Sequence, residues 1–134
     1  MKVTLRSLCL FVMLNAFYVR SQETAFQPLS FSLECASHDC PLLRGAPQTT
    51  GMRSGFVRLD PGKSVGQHST NQNEEALIVL RGEGQVEVEN RGVIQIGSKM
   101  LAYIPPRSKH NVTNTGKDVL EYVYVVSPIG TSSQ

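Results

Sequence analysis

Tryptophan is missing from the chain, and cysteine is sparse, with three in 134 residues. An excess of charge is missing too: 13 basic residues face 11 acidic ones, for a net charge of +2. That balance is too small for a nucleic-acid-binding surface, and no basic run supplies one locally, so nucleic acid is not an expected partner. No repeat of solenoid or propeller period is present. There is no phosphate-cradling glycine loop and no serine nucleophile elbow. After the first twenty-odd residues no stretch carries a helical period. What remains is enough chain for one ordinary globular domain, 40% apolar and 18% charged.

The first segment reads as a leader. MKVTLRSLCLFVMLNAFYVRSQ opens with Lys2 and Arg6 and continues into an apolar run from Leu8 to Val19. A run of about 12 residues is short for a membrane span and suits the core of a signal peptide. Val19 and Ser21 are the small residues before an expected cut ahead of Gln22. Residues 1–21 are therefore expected to be a signal peptide, and the protein to be secreted or periplasmic, with no membrane contact once the leader is removed. An uncleaved anchor is the alternative, since Arg20 lies close to the cut. Loss of Lys2, Arg6 and Arg20 would bring the mature chain close to neutrality.

Export bears on Cys35 and Cys40, the two cysteines beyond the leader, in ECASHDC. In an oxidising compartment a pair this close is expected to form a disulfide. Free thiols, or a metal site using Cys35, His38 and Cys40, are the competing readings. No second cluster nearby completes a tetrahedral set.

From Gly55 onward the chain reads as strands separated by turns. GFVRLD ends at Pro61-Gly62, EALIVLR at Gly82-Glu83-Gly84, and QVEVE at Asn90-Arg91-Gly92. VIQI runs to Gly97, LAYI stops at Pro105-Pro106, and VLEYVYVV follows Asn114-Thr115-Gly116. Short strands at regular spacing predict an all-β sandwich or closed barrel. Earlier in the chain, LSFSL is expected to add an edge strand, and Arg44 to Ser54 to form a loop.

Two stretches carry a resemblance. Gly62 is followed after five residues by His68-Ser69-Thr70, after four more by Glu75, and after six more by Gly82. This resembles the first motif of the cupin superfamily, Gly, five residues, His-x-His, three or four, Glu, six, Gly. The run Pro105 to Asn114, PPRSKHNVTN, is similar to the second, Pro-x-Gly-x-x-His-x-x-x-Asn. The likeness spans about Gly55 to Val126 and implies a cupin-type jelly-roll (double-stranded β-helix) barrel with its site inside one end. The expected organisation is 1–21 signal peptide, 22–52 N-terminal strand and loop segment, 53–127 barrel and 128–134 tail. The departures are Thr70 where the family has its second histidine, and Arg107 in place of the glycine of Pro-x-Gly. The glycine that opens the second motif aligns with Lys99, or with Gly97 if two residues are inserted.

The resemblance implies that His68, Glu75 and His110 ligate a divalent metal ion, which could be Fe, Mn, Ni or Zn. Two histidines and a carboxylate are also the ligand set of open non-haem iron sites. His68 and Thr70 lie two apart and share a strand face. A neutral hydroxyl is a poor ligand, so Thr70 is expected to hydrogen-bond metal-bound water or substrate, with Gln72 and Asn73 as amides near the vacant place. Glu74 rivals Glu75, but strand alternation turns it outward. Tyr103 either lines the barrel near the site or packs in the core. Tyr122 and Tyr124 share one face of the last strand, either pocket wall or surface. Asn111-Val112-Thr113 is a glycosylation sequon. The function so implied is a metal-dependent oxygenase or isomerase acting on a small molecule. A non-catalytic module for a small sugar-like or acidic ligand is the alternative. A homodimer is expected, joined through the apolar last strand and LSFSL.

Overall fold

The computed structural model describes residues 26–130, so the proposed leader lies outside the described residues. Nine strands form, and no helix is present among these residues. In chain order they are β1 (Asp39–Arg44), β2 (Arg53–Leu59), β3 (His68–Ser69), β4 (Asn73–Arg81) and β5 (Glu83–Val88), followed by β6 (Gly92–Gly97), β7 (Leu101–Ile104), β8 (Lys109–Asn114) and β9 (Leu120–Pro128). One sheet has the order β1-β2-β9-β4-β7 and the other β3-β8-β5-β6, with every pairing antiparallel. The two sheets face one another as a jelly-roll barrel.

Period-two alternation decides what lies between the sheets. On β4 the inward residues are Glu75, Leu77 and Val79; on β5 they are Val86 and Val88; on β7, Ala102 and Ile104. Apart from Glu75, these residues form one apolar core with Val57, Leu59, Ile96, Val112, Leu120 and Tyr122. The register places Leu59 against Leu120 at one end of the barrel and Arg53 against Val126 at the other. The first end is filled by core side chains; the second holds the cavity described below.

The turns show why particular residues stand where they do. Gly82 has φ of 82°, and a Cβ there would come within 2.4 Å of the Val119 carbonyl oxygen, so only glycine fits between β4 and β5. Asn114, almost fully buried, donates from Nδ2 to the carbonyls of Leu59 and Asp118 and accepts from the Gly116 N–H. It thereby pins the end of β8 to the end of β2 and to the turn before β9. Lys99 and Arg107, at the two second-motif positions where the family has glycine, have φ of 67° and 56°. The left-handed backbone is kept there without the residue that adopts it freely.

Three expectations need correction. LSFSL, residues 29–33, is not a strand; it runs unpaired. The edge of β2 is instead taken by β1, with Cys40 opposite Phe56, and an edge accepts one neighbour only. The loop is correspondingly shorter than expected, lying between Arg44 and Arg53. β8 was not among the apolar runs because two of its three inward residues, His110 and Asn114, are polar. Cys35 and Cys40 are joined as a disulfide, with Cα atoms 6.2 Å apart, which removes both sulfurs from any site with His38.

Candidate metal centre

Three elements deliver the expected ligands to one point. His68, on the two-residue strand β3, pairs in register with His110 on β8. The two rings lie 4.2 Å apart between centroids at 58°. Glu75 enters from the opposite sheet, on β4 between Val126 of β9 and Ile104 of β7. One ligand atom from each of His68, Glu75 and His110 lies within 4.8 Å of the others. An ion there would be gripped between the two sheets.

The imidazoles are oriented by backbone. Nδ1 of His110 is 3.2 Å from the Ser108 carbonyl, and Nδ1 of His68 is 3.0 Å from the Gly66 carbonyl. A carbonyl only accepts, so each Nδ1 carries the proton and each neutral ring keeps its Nε2 lone pair. Fixing one ring nitrogen so that the other faces a metal is the usual support for a ligating histidine. Nε2 of His110 is buried, without a hydrogen-bond partner, and 3.3 Å from Oε2 of Glu75. An orphaned nitrogen beside a carboxylate, with a second imidazole adjacent, fits a divalent ion in donor type and placement. Burial pushes the His110 pKa down. The Glu75 carboxylate at Nε2 and the Ser108 carbonyl at Nδ1 outweigh it, and the net shift is upward.

The surrounding cavity has a volume of about 450 Å³. Asn73, Tyr122, Tyr124 and Val126 contribute to its walls, with Arg53 and Asp39 from the neighbouring strands. Thr70 also lines it, but its hydroxyl is engaged: Oγ1 donates to the Pro105 carbonyl at 2.9 Å and accepts from the Ser108 N–H at 3.0 Å. It therefore clamps the start of β4 to the turn that precedes His110. Asn73 donates from Nδ2 to the Thr70 carbonyl.

Two expected neighbours of the site stand elsewhere. Gln72 is exposed on the turn after Asn71 and accepts from Arg107 at 3.4 Å. Tyr103 is 53% exposed on the outer face of β7, because alternation there turns Ala102 and Ile104 inward. Its hydroxyl donates to Glu74, which faces outward as expected. Two charged cavity residues, Arg53 and Asp39, were not singled out from sequence. Arg53 lay in a segment read as loop, and Asp39 between the expected LSFSL strand and that loop. Their signal was register, which a single strand does not reveal.

The cupin domain family model matches residues 55–126, and the chain belongs to the cupin superfamily. No curated protein matches it. Among solved structures, a cupin protein from Bacteroides fragilis is similar with a TM-score of 0.62 at 19% identity, over 81% of this chain and 89% of that one. A cupin domain from Schizosaccharomyces pombe is similar with a TM-score of 0.61 at 18% identity, over 68% of this chain; the match spans 64% of that chain. A predicted oxalate decarboxylase from Thermotoga maritima has a TM-score of 0.53 at 20% identity, over 67% and 93%. At these identities the likeness shows the fold.

Proposed function

We propose that this protein is a metal-dependent cupin that binds one divalent cation on His68, Glu75 and His110 and acts on a small molecule in the adjoining cavity. The observation that carries this reading is the convergence of those three side chains with both Nδ1 atoms tied to backbone carbonyls. A bound ion would supply Lewis acidity and open coordination positions, which suit oxygenase or isomerase chemistry. The chain itself orients both imidazoles, places one carboxylate charge opposite them, and encloses the site between two sheets. With Thr70 engaged as a clamp, the protein supplies three ligands. A three-ligand centre exchanges its ion more readily than a closed one.

The engaged Thr70 also favours a second reading, a non-catalytic module that holds a small acidic or sugar-like ligand without tightly held metal. Calorimetric titration of Fe(II), Mn(II) and Zn(II) separates the two. The metal reading expects stoichiometric binding in the wild type and at least about a hundredfold weaker binding in His110→Ala. No binding tighter than millimolar, or wild-type binding by His110→Ala, would overturn it.

We further propose export after removal of residues 1–21. The Cys35–Cys40 disulfide supports this, since such bonds persist in oxidising compartments. N-terminal sequencing of the natively produced protein tests it, and a retained Met1 would count against it.

A further inference from the structure

The cavity holds polar groups outside both motif stretches. On the inner face of the five-stranded sheet, Val126 of β9 has Arg53 of β2 on one side and Glu75 of β4 on the other, all in one register row. Neighbouring strands lie about 4.8 Å apart, so Arg53 and Glu75 enter the cavity from backbone positions roughly 10 Å apart. Both line it. The charged groups on its walls are Asp39, Arg53 and Glu75, with the imidazole of His68. Among the described residues Arg53 forms neither an ion pair nor a side-chain hydrogen bond, whereas Glu75 faces His110.

Two phenols add to the polar surface, to which Gln67, Ser69, Asn71 and Asn73 also contribute. Tyr122 is 2% exposed and lines the cavity, and its hydroxyl has no hydrogen bond among the described residues. That hydroxyl is not one of the buried polar atoms without a partner; it is open to the cavity, where it can donate to an oxygen acceptor. Tyr124 lies across Gly55, where a Cβ would come within 2.5 Å of the tyrosine hydroxyl oxygen. The missing side chain lets that hydroxyl sit on β2, two residues from Arg53 and on the same strand face. Between these groups the wall is apolar, with Val57, Val65, Val112 and Val126.

An exposed guanidinium at the cavity edge and two phenol donors suit a carboxylate. The valines beside Arg53 and Tyr124 suit a short carbon chain next to that carboxylate. We propose that the cavity takes a small hydroxy- or oxo-carboxylic acid, its carboxylate held by Arg53 and Tyr124 and its second oxygen accepting from Tyr122 beside the His68–Glu75–His110 centre. The placement of that second oxygen rests on the metal reading; the carboxylate end does not.

The test compares 3-hydroxybutanoate with butane-1,3-diol, which differ only in the carboxylate. Each is titrated calorimetrically into Mn(II)-loaded and metal-free protein, for the wild type, Arg53→Gln, Arg53→Lys and Tyr122→Phe. The acid is expected to bind the wild type at least about tenfold more tightly than the diol. Arg53→Gln should remove that preference and Arg53→Lys retain part of it. Tyr122→Phe should weaken both ligands several-fold while Mn(II) affinity stays within about twofold. Equal binding of acid and diol, or an undiminished preference in Arg53→Gln, would overturn the proposal. If the wild type holds none of Mn(II), Fe(II) and Zn(II), the metal reading falls, and an acid preference of the metal-free protein that depends on Arg53 still upholds the carboxylate site. Absence of that preference overturns it.

Discussion

Thr70 illustrates how one side chain can change its task within a preserved frame. It stands where the family places a ligating histidine, and its hydroxyl instead joins Pro105 and Ser108. Thr70→Val keeps the shape and deletes both bonds, leaving the buried Ser108 N–H unmet. Chemical denaturation is expected to show a loss of about 1–3 kcal/mol. Metal affinity should change less than tenfold, because the ligands are untouched. His110 leads to a second expectation. A proton and a cation compete for its Nε2, and its pKa is raised above the ordinary imidazole value. Metal affinity should therefore be full well above neutral pH. It should begin to fall, by about tenfold per unit, at a higher pH than an unperturbed imidazole of about 6.5 would set. Titrating Mn(II) at successive pH values checks this; a constant affinity from pH 8 to 5 would contradict it.

At the scale of elements, the turns carry the strain and the strands carry the placement. Lys99 and Arg107 hold left-handed backbone, which costs a non-glycine residue about 1–2 kcal/mol. Lys99→Gly should recover part of that, offset by the larger entropy of the unfolded chain, for a net gain of up to about 1 kcal/mol. Gly82→Ala should do the reverse and lose several kcal/mol, since strain at φ of 82° is joined by a clash with the Val119 carbonyl. Thermal denaturation of the two variants reads both signs. The strand that decides the site is β3, only two residues long, held by its pairing to β8 and by the Thr70 clamp behind it.

For the whole molecule, the outer face of the five-stranded sheet poses the question of association. Phe56, Val123, Ile78 and Leu101 form one register row across β2, β9, β4 and β7. Ile78 and Leu101 are exposed, Leu101 at 66%. β9 lies in the middle of the sheet, so a dimer built on it would pack face to face, and LSFSL is not available as a paired edge strand. We expect a homodimer through this face at tens of micromolar. Sedimentation should show Ile78→Lys shifting it to monomer, because a buried ammonium would lack a partner. A monomeric wild type would remove this expectation.

How much was legible differs between fold and site. Alternation and turn residues determined the strands from β4 to β7 and β9, since a side chain's face follows from its place in the strand. The resemblance of both motif stretches to the cupin pattern implied that His68, Glu75 and His110 belong together, although the rest of β4 and all of β5 to β7 separate Glu75 from His110 in the chain. LSFSL has the same alternation as a strand and is none, as pairing depends on which edge is free. Thr70 offered a hydroxyl to the site on paper, and only packing disclosed that Pro105 and Ser108 claim it. Arg53 could not be seen as a wall residue, because its row with Val126 and Glu75 exists only after β2, β9 and β4 lie side by side. Local pattern sets which way a residue points; the pairing of distant strands sets what it meets there.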